Sequence, residues 1–210
     1  MLEFLYVLNS TNKPKYKMTQ KHGKGKIMLK DIESVLVTEE EIQEICSRIA
    51  GQINEDYRSS GKKLVLICIL KGSLAFTCEL MKKIELPVEI DFMKVSSYGS
   101  KAVSSGVINI HLDIKRDDME DVDFIVIEDI VDSGRTLSHL TRYLAERGAN
   151  SVKTCTMLDK PDRRTVDFTP DYCGKVIPDK FVVGFGLDYN EKYRNLPFVG
   201  ILKPEVWGGN

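Results

Sequence analysis

The residues best placed to do chemistry lie in one segment, Val126–Leu137, which reads VIEDIVDSGRTL. An apolar run ends in two adjacent carboxylates, Glu128 and Asp129, followed by Ile130 and Val131. Asp132, Ser133, Gly134, Arg135 and Thr136 come next, where the pattern predicts the start of a helix. Small hydroxyl residues, a glycine and free backbone N–H groups at a helix N-terminus form a phosphate cradle. Paired carboxylates repel phosphate, but they accept hydrogen bonds from sugar hydroxyls and can hold a hard cation such as Mg²⁺. Taken together, the segment is expected to bind a phosphorylated sugar plus a metal ion. The plain alternative is an acidic loop that caps a helix through Asp132 or Ser133. Acidic loops are common; an apolar strand, paired acids and DSG-x-T in one run are not.

The elements that must position this segment follow from periodicity. Thr38 and Glu41 form a capping-box pattern, and Ile42, Ile45, Cys46, Ile49 and Ile53 then recur at helical spacing, predicting a helix over 39–57 that ends at the SSG of 59–61. Leu64–Leu70 is a near-continuous apolar run, as expected of a strand covered on both faces. Ser73–Ile84 can form a helix. Val88–Ser97 reads as a strand, Tyr98–Gly106 as a mobile Gly/Ser-rich loop and Val107–Ile114 as a half-exposed strand. Asp123–Ile127 is a second buried strand, with a helix over Thr136–Arg147 closed by Gly148. Ser151–Leu158, Cys173–Ile177, Phe181–Gly186 and Phe198–Leu202 are shorter strand candidates. Strand, loop and helix alternate, so the expected fold is α/β with a mainly parallel sheet and a small extra element from the chain ends. Open sheets of this kind place ligands at the carboxyl ends of their strands, where the acidic pair falls.

Composition bounds the function. The 210 residues are 42% hydrophobic and 29% charged, with a net charge of −1, which argues for a soluble globular protein and against a globally basic nucleic-acid binder. Residues 1–26 hold six lysines and one acid and are expected to form a loosely ordered basic extension, leaving 27–210 as a single domain. A nucleic-acid arm is the sharper reading of that stretch, and Met18 offers an alternative start. No run approaches the roughly 20 apolar residues of a membrane helix, and the N-terminus is a poor signal peptide. Five cysteines with no CxxC pair point to a reducing, cytoplasmic setting rather than a disulfide framework or zinc ribbon.

Residues 126–137 resemble the phosphoribosyl-diphosphate signature of the type I phosphoribosyltransferases, and further matches extend to the hypoxanthine-guanine group. Leu70-Lys71-Gly72 is similar to that group's diphosphate loop and Ser96-Ser97-Tyr98-Gly99 to its catalytic lid. Leu158–Pro161 and Ile177–Gly184 are similar to its purine site, and Leu187–Glu191 with Tyr193-Arg194 to its C-terminal site. The resemblance covers about 35–204 and implies a central, mainly parallel sheet flanked by helices, with a small hood from the chain ends. It implies purine salvage, in which hypoxanthine or guanine displaces diphosphate from phosphoribosyl diphosphate to give IMP or GMP, in a homodimer or homotetramer, without nucleic-acid or membrane partners.

The resemblance also implies roles. Glu128 and Asp129 hold the ribose hydroxyls and organise Mg²⁺, with Asp188 at a second magnesium position. Asp132 is the general base or proton relay near the purine. Ser133 to Thr136 match the 5′-phosphate loop, with no side-chain role for Arg135, and Ile130 and Val131 are substrate-binding residues beside it. Lys71, Gly72 and Arg194 meet diphosphate, the Leu70–Lys71 peptide is cis in many relatives, and Ser97 and Tyr98 close the lid. Lys160, Lys180, Phe181 and Val182 form the base site. A lysine ammonium only donates, so Lys180 favours a 6-oxo over a 6-amino purine. Arg163 and Arg164 are expected at the surface, His139 on an exposed helix face, and Cys68 and Cys78 as small core fillers. Two rivals remain: a non-catalytic regulator on the same fold, and a sister transferase. Lys180 argues against adenine and the IPDKFVVG segment against pyrimidines, while xanthine stays open.

Overall fold

The computed structural model describes residues 26–97 and 108–209. The basic stretch before Lys26 and the loop expected over 98–106, with Tyr98, lie outside them. The elements in chain order are α1 (Lys26–Leu29), β1 (Ile32–Val37), α2 (Glu39–Tyr57), β2 (Lys63–Ile69), α3 (Leu74–Met81), β3 (Val88–Ser97), β4 (Ile108–Leu112) and β5 (Val122–Val131). α4 (Arg135–Glu146), β6 (Ser151–Asp159), β7 (Tyr172–Val176), β8 (Val182–Val183), β9 (Val199–Leu202) and α5 (Pro204–Trp207) follow.

Six strands form the main sheet in the order β4-β3-β2-β5-β6-β7, parallel throughout except for β4 on the edge. The chain leaves β2 towards β3 on one side and β5 towards β6 on the other. The topological switch therefore falls between β2 and β5, where a crevice opens at the carboxyl ends of the strands. Both central strands are sealed: every residue of Leu64–Ile69 and of Val122–Ile127 is buried. One face packs against α2 and α3 through Ile42, Ile49, Phe76 and Leu80. The other packs against α4 through Leu137, Leu140 and Leu144. α2 starts at the predicted capping box, with the Thr38 side chain accepting from the Glu41 N–H at 3.1 Å and Glu41 accepting from the Thr38 N–H at 2.8 Å. Gly148, with φ of 91°, closes α4 as expected.

A second sheet, β1-β9-β8, gathers the two ends of the chain into the expected hood. It has its own small core of Val183, Tyr193, Leu196, Phe198 and Leu202. Three expectations are corrected. β5 does not stop at Ile127; it runs through Val131, still paired to β6, so the acidic pair lies inside a strand. The strand expected over 181–186 shrinks to β8, because Gly184, Phe185 and Gly186 all take positive φ and turn the chain. Cys78 is exposed rather than a core filler, while Cys68 is buried as expected.

Candidate active site

The pairing of β5 shows why the acids sit where they do. β2 pairs with β5 only as far as Cys68 opposite Ile127, while β5 continues for four residues with β6 as its neighbour. Glu128 and Asp129 occupy the flank that β2 has vacated. The chain leaving β2 passes through the cis peptide Leu70–Lys71 and then Gly72, whose Cα lies against the Asp129 carboxylate; a Cβ there would overlap it. Gly186 in turn packs on the Gly72 carbonyl with no room for a side chain. Three remote segments thus meet around Asp129, and two glycines permit the approach.

The carboxylates are uncomfortable in this setting. Burial, reinforced by the neighbouring Asp129, holds the Glu128 pKa well above the usual carboxylate range. Its Oε2 is sealed from solvent with no hydrogen-bond partner among the described residues. Burial pushes Asp129 up to about 6, opposed by the Ile130 N–H at 2.8 Å and by the charge of Arg194. Such groups gain most from donors or a cation delivered by a ligand. No three His, Cys, Asp or Glu side chains among the described residues converge on one point, so Glu128, Asp129 and Asp188 do not form a closed cage. A cation that keeps its waters and takes oxygens from a phosphorylated ligand needs only one or two carboxylates. The unpartnered Glu128 Oε2 fits that need.

Beyond the acids a cavity of about 370 Å³ is lined by Glu128, Ile130, Val131, Asp132, Ser133, Gly134, Thr136 and Leu137, together with Arg163 and Thr165. Gly134 has φ of 79°, which lets the loop fold back and present the first-turn N–H groups of α4 to this space. The loop is clamped from the segment after β6. Arg164 donates to the carbonyls of Val131 at 3.3 Å and Asp132 at 2.5 Å, and pairs closely with the Asp159 carboxylate. Thr165 N–H donates to the Ser133 carbonyl at 3.1 Å, and Arg135 Nε donates to Thr165 Oγ1 at 3.0 Å. The expectation that Arg164 is a surface residue is therefore corrected: its side chain is mostly buried and braces the loop, whereas Arg163 is half exposed.

Two charge clusters flank the cavity. Lys160, almost wholly buried, has its ammonium 3.8 Å from both Asp132 and Asp179. Across the crevice Arg194 pairs with Asp188 at 2.7 Å and Glu191 at 3.5 Å, and Lys71 pairs with Glu191 at 3.0 Å. Glu191 thus bridges two cations, a part that no local pattern signals. In the hood, Phe181 stacks on Trp207 with Tyr189 at right angles. Val182 is buried next to it and Lys180 is exposed. His139 is half-buried and stacks on Tyr143 at 6.4 Å, so its expected exposure is also corrected.

Residues 36–190 match the family model described as a phosphoribosyl transferase domain. The chain belongs to that family. A curated relative, the hypoxanthine-guanine phosphoribosyltransferase of Staphylococcus aureus (strain N315), is 48% identical over 180 residues, which is 86% of this chain and 99% of that protein. A crystal structure of a hypoxanthine phosphoribosyltransferase from Staphylococcus aureus superposes with a TM-score of 0.82 at 47% identity, covering 88% of this chain and 99% of that one. A ternary substrates complex of a Lys-to-Arg mutant of the Trypanosoma cruzi hypoxanthine phosphoribosyltransferase gives a TM-score of 0.80 at 39% identity, over 85% and 99% of the two chains. This is the type I phosphoribosyltransferase fold, with the family's parallel sheet carrying the acidic pair at the switch point. Sequence reasoning missed Arg164, Thr165 and Trp207, and the bridging part of Glu191, all of which depend on tertiary contacts.

Proposed function

We propose that this phosphoribosyl transferase moves the 5-phosphoribosyl group from phosphoribosyl diphosphate to hypoxanthine or guanine, giving IMP or GMP and diphosphate in purine salvage. The observation that carries this reading is the buried acidic pair of β5, whose Glu128 Oε2 has no partner among the described residues, beside the αL-glycine loop at the start of α4. The name of the relative at 48% identity supports the choice of bases.

The roles follow from chemistry. The 5′-phosphate takes the N–H groups and hydroxyls of Ser133, Gly134 and Thr136, with Ile130, Val131 and the Arg135 backbone completing the wall. Glu128 and Asp129 accept from the ribose hydroxyls. Bound Mg²⁺ supplies charge neutralisation on the departing diphosphate, and Glu128, Asp129 and Asp188 are the residues that would hold it. Lys71 and Arg194 exchange Glu191 for diphosphate oxygens, and the Gly72 backbone approaches closely because it has no side chain. As the bond from C1 to diphosphate breaks, positive charge grows on the sugar, and the carboxylate of Asp132 favours it electrostatically. The purine nitrogen then bonds to C1, and Asp132 takes up the proton the base releases. Lys160 steadies Asp132 from 3.8 Å. Phe181 stacks on the base, Lys180 donates to its 6-oxygen and Val182 offers backbone groups. Ser97 and Tyr98 close the lid against water.

The test is a spectrophotometric assay with phosphoribosyl diphosphate, Mg²⁺ and each of hypoxanthine, guanine, xanthine and adenine, with an EDTA control. Magnesium-dependent nucleotide formation from the first two is expected. Binding of the phosphosugar without turnover of any base would overturn the reading in favour of a regulator. Ile90, Phe92 and Leu112 leave large apolar side chains exposed on β3 and β4, which supports a homodimer or homotetramer, measurable by light scattering. Five free cysteines fit a cytoplasmic enzyme, and among the described residues no helix is long and apolar enough to cross a membrane.

A further inference from the structure

Trp207 is the single tryptophan of the chain and falls in the terminal WGGN, outside the segments that carry the family resemblance. Its indole lies nearly parallel to the Phe181 ring, with centroids 5.1 Å apart and planes at 20°. Several features hold it there. Pro204 opens α5, and Gly208, with φ of 76°, ends it at once. The N–H groups of Gly208 and Gly209 both return to the Pro204 carbonyl, at 3.0 and 3.1 Å. This reversal lays Gly209 flat on the indole, where any Cβ would collide with the six-membered ring. The indole N–H donates to the Leu202 carbonyl at 3.3 Å, and the Leu202 N–H donates to the Phe181 carbonyl at 2.9 Å. Indole and phenyl are thereby tied to the same strand residue.

We propose that Trp207 is a positioning residue for the purine: it backs the Phe181 ring and fixes the tilt at which a planar fused heterocycle stacks on it. This rests on the assignment of Phe181 to the base site. Tyr189 meets the Phe181 ring at 89° and limits its rotation, while Phe181 as a residue stays part-exposed. Offset stacking of indole, phenyl and base makes three layers, in which the middle ring loses little freedom when the base arrives because it is already held.

The test compares Trp207→Ala, Trp207→Phe and Phe181→Ala in steady-state kinetics and uses the emission of Trp207 itself. Trp207→Ala should raise KM for hypoxanthine about 3- to 10-fold with KM for phosphoribosyl diphosphate unchanged, the size of one lost aromatic pair. Trp207→Phe should restore most of the loss. Saturating IMP should shift Trp207 emission in the unaltered protein and not in Phe181→Ala. An unchanged KM for hypoxanthine in Trp207→Ala, a parallel rise in both KM values, or emission insensitive to IMP would overturn the proposal. Phe181→Ala separates the two ideas. If it raises KM for the base while Trp207→Ala does not, only the role of Trp207 fails. If neither variant matters, Phe181 is not the base platform.

Discussion

Asp129→Asn should make the ligand-free protein more stable while removing its ability to hold phosphoribosyl diphosphate. Burial lifts the Asp129 carboxyl from its ordinary 3.8 to about 6. At about 1.36 kcal/mol per tenfold, keeping it ionised near neutral pH costs the folded state about 3 kcal/mol. Asparagine carries no charge, preserves the shape beside Gly72 and can still accept from the Ile130 N–H. For a chain of this size, 3 kcal/mol corresponds to a rise in Tm of roughly 6–12 °C. The pH dependence follows from the direction of the shift. A raised carboxyl penalises folding in full above about 6, progressively less below it, and ceases to do so about a unit below the unfolded value of 3.8. The gap between variant and parent should therefore be largest at pH 8, about half as large at pH 5, about a fifth as large at pH 4 and closed near pH 3. Calorimetry or thermal denaturation in EDTA at these pH values measures it. Adding magnesium and phosphoribosyl diphosphate should then raise the Tm of the parent only. A variant that melts at or below the parent at pH 8, or a gap that does not change with pH, would refute the argument that burial strains this carboxylate.

Other expectations follow from the same geometry. Asp132→Asn should lower kcat by about 100-fold or more while raising KM for the base far less, because proton transfer belongs to the transition state; unchanged turnover would remove Asp132 from the mechanism. Lys180→Ala should weaken the preference for hypoxanthine over adenine in kcat/KM by about tenfold, the size of one charge-assisted hydrogen bond. An unaltered preference would mean the base handle lies elsewhere. Gly72→Ala should abolish tight binding of phosphoribosyl diphosphate and destabilise the fold by about 1–3 kcal/mol, since its Cβ displaces the Asp129 carboxylate; titration calorimetry and a melting curve check the two halves.

How far the sequence alone could reach depended on where each partner sits along the chain. α2 was legible to the residue because its cap and its apolar stripe are local features. The cradle was legible for the same reason: strand, acids, Gly134 and helix start are contiguous. The end of β5 was misread because polar side chains at Glu128 and Asp129 look like the edge of a strand. The backbone nonetheless keeps pairing with β6, whatever the side chains carry. β1 escaped notice because IESVLV is short, half-exposed and paired only to β9, more than 160 residues away. Arg164 looked like one of two surface cations; its burial depends on Asp159 and on carbonyls from a separate loop. Glu191 was visible within a motif, but its bridge between Lys71 and Arg194 exists only in three dimensions.

The two halves of the site also differ in how firmly they are held. The acidic pair rides on a ten-residue strand whose first half has a neighbour on each side and is fully buried, and whose second half stays paired to β6. The proposed base platform hangs from a strand of two residues, paired on one side only. Amides of 124–127 should exchange with solvent only when the whole domain opens, whereas those of 181–184 should exchange through brief local excursions. The end proposed to hold the phosphosugar is thus built for constancy. The hood offers room for change at exposed positions such as Lys180, while Val182 and Val199 anchor it in the main core, so a change in the choice of base is tolerated most readily where it spares those two.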